Sequence, residues 1–254
     1  MPKIGIRLAR AILPLLGRRR RLHVVLLSIA FAAPTLALAQ HDADAPVRIV
    51  RSWTLDVREL VAKQAALPAH GLRRVHLLRL EMAVQSGTRW ASDAILAATR
   101  RAAAILSQCG VQTIAYLHEF DGPRRYRNLS SPASRQLADK MRLGRPAIFF
   151  VDDTLHRPAF DAEAIGRGNS ATRPEMTDTV WITAATRDLP IALAHELVHV
   201  LTDSGAHSDA ADNLMREETA ASNTQLTTEQ CVSVLRTGVA NGLLERAGGN
   251  DVGN

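Results

Sequence analysis

The sequence predicts one mixed domain of the α/β (α+β) class, and three observations lead there. Short apolar runs such as 146–151 (PAIFFV) and 179–183 (TVWIT) are interleaved with longer alanine- and leucine-rich stretches of helical character. Residues 189–201 are apolar nearly all round, the mark of a buried helix, yet they contain two histidines and a glutamate. No internal repeat divides the chain, and the part beyond residue 39, about 215 residues, is enough for one domain with a real core.

Taken in order, residues 47–55 alternate and predict a short strand, and 57–66 a helix ending near Pro68. Residues 75–84 (VHLLRLEMAV) predict a strand, although their leucines also suit a helix. Residues 90–108 form the clearest helix: Ser92 or Asp93 can cap it and Gly110 terminates it. A strand is predicted at 111–120, a short helix at 131–141 with Pro132 near its start, and an apolar strand at 146–151 before Asp152-Asp153. Residues 160–166 predict a short strand and 179–183 another. Asp188 can cap the next helix, with Pro190 tolerated in its first turn. Residues 227–244 predict a last helix started by Thr227 or Thr228, and the Gly- and Asn-rich tail 247–254 predicts a frayed end.

The chemistry concentrates at His195-Glu196-Leu197-Val198-His199, the H-E-x-x-H arrangement. A helix puts residues i and i+4 on one face, so both imidazoles can reach one metal ion and Glu196 can reach a water on it. Such groups inside an apolar helix are costly without partners, and a cation supplies one. Beyond the helix, Asp203, Ser204 and Gly205 are stop and turn residues. Gly205 can take the positive φ of a sharp reversal, which presents His207 to the same ion. Three nitrogens and one open position describe a catalytic zinc site. Other third ligands are Glu217 or Glu218, and Asp203 or Asp212.

With His207-Ser208 followed by Asp212-Asn213-Leu214-Met215, the chain resembles the metzincin zinc peptidases. The spacing from His207 to Met215 is similar to that of the matrixin-like branch. The metzincin pattern is H-E-x-x-H-x-x-G-x-x-H. Here seven residues, not five, separate His199 from His207, and Thr202 stands at the glycine position. The helix or its exit is therefore longer by two residues. The resemblance implies a twisted, mostly parallel sheet with an antiparallel edge strand, 160–166, above the cleft. It further implies a zinc-binding helix, a Met-turn at Met215 acting as a structural floor, and a C-terminal helix. On it, 75–246 is the peptidase domain. Residues 40–74 are an N-terminal extension: a pro-segment, an extra strand and helix, or a partner-binding arm.

Residues 1–39 predict a secretory signal peptide of an exported, bacterial-type protein. Arg18 to Arg21 make a basic n-region, 23–38 an apolar run, and Ala37-Leu38-Ala39 a cleavage site. The whole chain carries a net charge of +6, but seven of its basic residues lie in this leader. The remainder has 24 Lys plus Arg against 25 Asp plus Glu, which removes the case for nucleic-acid binding. No second apolar run is long enough to anchor the mature chain in a membrane. The basic loop 122–127 reads as a solvated turn. Cys109 and Cys231 are the two cysteines; in an exported protein they read as one disulfide, the alternative being two buried free thiols.

These features predict a secreted or periplasmic zinc endopeptidase acting on protein or peptide substrates. Zn2+ on His195, His199 and His207 activates a water, and Glu196 is the general base. Rival readings are a non-catalytic exported zinc-binding protein of the same fold, a zinc hydrolase of a non-protein amide, and a chance motif in an unrelated domain.

Overall fold

The computed structural model describes residues 45–57, 75–157 and 159–246. In chain order these form β1 (Arg48–Asp56), β2 (His76–Gln85), α1 (Ser92–Leu106), β3 (Val111–Asp121), β4 (Asn128–Leu129), α2 (Ser131–Met141), β5 (Ala147–Val151), β6 (Asp153–Thr154), β7 (Ala162–Ile165), β8 (Thr179–Thr183), α3 (Leu189–Thr202), α4 (Thr228–Ala240) and β9 (Leu244–Arg246). The main sheet runs β1-β3-β2-β5-β8-β7, with β9 paired to the start of β2. Strands β3, β2, β5 and β8 are parallel. Both edges are antiparallel: β1 lies against β3, and β7 against β8.

Burial explains this order. Strand β5 is apolar throughout, β8 is apolar between two threonines, and every residue in both is buried, as expected of central strands covered on both faces. Alternation in β2 sends Leu78, Leu80, Met82 and Val84 into a core shared with α1, α3 and α4. Ala83 points to a second core beneath Ala133, Leu137 and Ala138 of α2. The edge strand β1 is tied to its neighbours by side chains as well as backbone. Ser52 Oγ lies 2.8 Å from His118 Nδ1, and His118 Nε2 lies 2.8 Å from Glu81 Oε2, a chain of hydrogen bonds across three strands.

Helix ends depart from expectation. Ala91 is the N-cap of α1, and neither Ser92 nor Asp93 caps it. Asp188 is the N-cap of α3, but its side chain makes no capping bond. The last helix stops at Ala240, short of the predicted 244. Gly242 turns the chain with φ +71°, and Leu244 enters β9 instead. Leu244 packs so closely on Gly238 that a Cβ there would meet its Cδ1 at 2.7 Å. The helix predicted at 57–66 (past Val57), the leader and the tail lie outside the described residues.

A disulfide joins Cys109, just past α1, to Cys231 in the first turn of α4, over a sequence separation of 122. Both cysteines are fully buried. In the chain-entropy model a loop of this length stabilises by about 4–5 kcal/mol. The double variant Cys109→Ala/Cys231→Ala should therefore lose about 3–5 kcal/mol in urea unfolding. Unchanged stability would show that the crosslink constrains nothing that packing does not already hold.

Candidate active site

Helix α3 carries His195, buried, and His199, partly buried, one turn apart. Each Nδ1 meets a backbone carbonyl: His195 Nδ1 lies 2.8 Å from the Leu214 oxygen, and His199 Nδ1 lies 2.6 Å from that of Ser204. A carbonyl only accepts, so each Nδ1 carries the proton and each Nε2 is a bare lone pair. These lone pairs converge. The Nε2–Nε2 distance is 2.9 Å from His199 to His195 and 3.2 Å from His199 to His207.

Facing lone pairs repel unless a cation sits between them, and protonation is disfavoured here. Burial, reinforced by His199 and His207, pushes His195 down to about 4. His199 is lowered too, first by burial. One ligand atom from each of the three histidines lies within 4.8 Å of the others. Nitrogens about 2 Å from a tetrahedral cation lie roughly 3.3 Å apart, so this group fits a metal ion. Among the described residues it is the one His/Cys/Asp/Glu group able to hold one. Glu217 and Glu218 are not in it. Asp203 and Asp212 occupy turns, each with positive φ.

The seven-residue spacer works differently from expectation. The reversal falls at Asp203, the C-cap of α3, with φ +48°. Gly205 is not left-handed. Asp tolerates that conformation better than most side chains. The next residue, Ser204, then turns its carbonyl back to His199. Asp203 Oδ1 also accepts the Gly168 N–H at 3.2 Å, clasping the chain beyond β7 to the end of α3. Gly166 leaves room for that carboxylate, since a Cβ would stand 2.7 Å from its oxygen and push it aside. Sequence reading missed this clasp, for which Gly166-Arg167-Gly168 was the available signal.

Behind the histidines, the turn bearing Met215 is pinned to α4. The Met215 N–H donates to Asn213 Oδ1 at 2.9 Å, and its carbonyl accepts from Ser208, beside His207, at 2.8 Å. Asn213 and Gln230 exchange two amide hydrogen bonds of 3.0 and 3.1 Å. Gln230 and Thr227 form the capping box of α4. Met215 itself is buried in the core shared with α3.

Burial, with a smaller contribution from Glu163, pushes the Glu196 carboxyl up to about 7, against a hydrogen bond from the Ala164 N–H. Asp161 accepts from Thr183 of β8. By antiparallel alternation Ala162 and Ala164 therefore direct their backbone groups away from β8, toward the cleft. The cleft holds about 680 Å³ beside Glu163, Glu196, the histidines and Asp203. A second lobe of about 760 Å³ passes Asp161, Arg187, Asp188, Glu217 and Glu218.

No family model matches the chain, and no curated protein matches it. Among solved structures it is similar to the crystal structure of metalloproteinase-II from Bacteroides fragilis, with a TM-score of 0.47 and 17% identity. The match covers 72% of this chain and spans 61% of that protein's length.

The raised Glu196 carboxyl has a consequence for the metal-free protein. The folded state keeps a proton up to about pH 7 that the unfolded chain sheds near 4.5, so stability falls as pH rises through that window. Glu196→Gln cannot ionise. From pH 4.5 to about pH 8 it should gain on the parent by up to about 3 kcal/mol, measured by urea unfolding in chelator. A difference that does not change with pH rules this out.

Proposed function

We propose that the chain is an exported zinc endopeptidase of metzincin type, close to the matrixin-like branch. The observation that carries this reading is the convergence of three Nε2 atoms in the cleft that Glu196 also lines. His195, His199 and His207 hold the metal. A zinc ion there supplies Lewis acidity and lowers the pKa of a coordinated water to about 7.

The protein's own groups do the rest. Glu196 takes a proton on its carboxylate from the attacking water and returns it to the leaving amine nitrogen. The Leu214 and Ser204 carbonyls keep His195 and His199 in the tautomer that leaves Nε2 free. The outer edge of β7, through Ala162 and the Ala164 carbonyl, receives an extended peptide as an added strand. Met215 anchors the turn through its backbone and packing, without ligating. The Cys109–Cys231 disulfide supports a secreted or periplasmic location, because such bonds persist in oxidising compartments.

Elemental analysis of the chain from Gln40 onward should find about one zinc per molecule, and His207→Ala should cut metal affinity at least tenfold. Full affinity in that variant would remove His207 from the site. Glu196→Ala should keep the zinc and lose at least about 100-fold in kcat on an unfolded protein substrate. Turnover equal to the parent's would exclude Glu196 as the base.

A further inference from the structure

We infer that the cleft selects peptides with a lysine or arginine beside the scissile bond, and that Glu217 is the principal carboxylate recognising it. This rests on the peptidase reading above. The cleft contains the three-histidine group and Glu196, and six of the seven other charged residues that line it are carboxylates. Asp161 and Glu163 come from the edge-strand side, Asp203 from the end of α3, Asp188 from its start, and Glu217 and Glu218 from the segment after Met215. Arg187 is the one Lys or Arg lining either lobe. Even with Arg187, with Arg173 behind Glu163 and with a divalent cation counted, negative charge prevails.

These carboxylates are not equivalent. Asp203 is engaged by the Gly168 N–H, and Glu163 by Arg173 at 3.3 Å. The second oxygen of Glu163 is buried without a hydrogen-bond partner. Glu217 is exposed, has no ion-pair partner among the described residues, and lines both lobes, so it stands where they meet at His195 and Glu196. A peptide lying along β7 passes between that strand and Glu217. A long cationic side chain can there reach a carboxylate with no internal partner to displace. An acidic side chain meets like charge from both sides, and like-charge contacts are an effective means of rejecting a wrong partner.

The test uses fluorogenic peptides identical except for one residue next to the cleaved bond: lysine, its neutral near-isostere norleucine, or glutamate. Two readouts are taken, kcat/KM with the zinc-loaded protein and Kd by fluorescence anisotropy with zinc-loaded Glu196→Ala. The lysine peptide should be favoured over norleucine about tenfold or more on both, with glutamate last. Glu217→Gln should reduce that ratio severalfold, and Glu217→Lys should reverse the order of lysine and glutamate. Zinc content and circular dichroism check that each variant is folded. Equal values for lysine and norleucine, or a ratio unchanged in Glu217→Gln, overturn the inference. Selective binding of the lysine peptide without cleavage of any peptide keeps it and defeats the peptidase reading. Cleavage with no charge preference does the reverse.

Discussion

The site depends on two backbone carbonyls, those of Leu214 and Ser204, which hold the Nδ1 protons of His195 and His199. An imidazole in an apolar helix can satisfy its burial as donor, as acceptor, or by turning away. Here the donor role is taken up behind each ring, so the acceptor lone pairs point into the cleft and toward one another. Burial keeps them unprotonated. The arrangement is electrostatically unfavourable by itself and favourable around a cation. A pair of histidines at helical spacing is common enough; it is the two carbonyls that aim these two at a common point.

Much of the surrounding structure serves to place those carbonyls. Leu214 belongs to the turn held by Asn213, which is bonded to Gln230, whose own position is set by the capping box of α4. One residue later, Cys231 fastens α4 to the end of α1. Ser204 is positioned by the left-handed Asp203, whose carboxylate grips the Gly168 amide. Thus α4 and the loop after β7, which contribute no histidine, decide how the histidines face.

The parts of this arrangement legible in the sequence are those encoded by side-chain type and spacing. The predicted bounds 179–183 and 131–141 agree with the structure, because a run of β-branched and aromatic residues and a proline-started helix leave little ambiguity. His195 and His199 were placed on one helical face by their spacing alone. What stayed hidden was encoded in backbone atoms, which carry no residue signature: the Leu214 and Ser204 carbonyls, and the Ala164 amide on Glu196. Glycine's freedom predicts the reversal at Gly205, yet it falls at Asp203, where a side-chain contact with Gly168 outweighs the intrinsic preference. The sequence pattern overruns the last helix for a similar reason. Local helical pattern continued to Leu244, but pairing with β2 claimed that residue for the sheet.

The covalent link across the domain also changes what a broken backbone means. Everything from β3 through the Met215 turn, including all three histidines and both lobes of the cleft, lies within the loop closed by Cys109 and Cys231. A single cut in that span, for instance in the exposed stretch 217–222, leaves two pieces still joined by sulfur. Neither piece can diffuse away. A nicked molecule therefore travels at full mass until thiols are added. A chain closed in this way can be cut once within that span and stay in one piece.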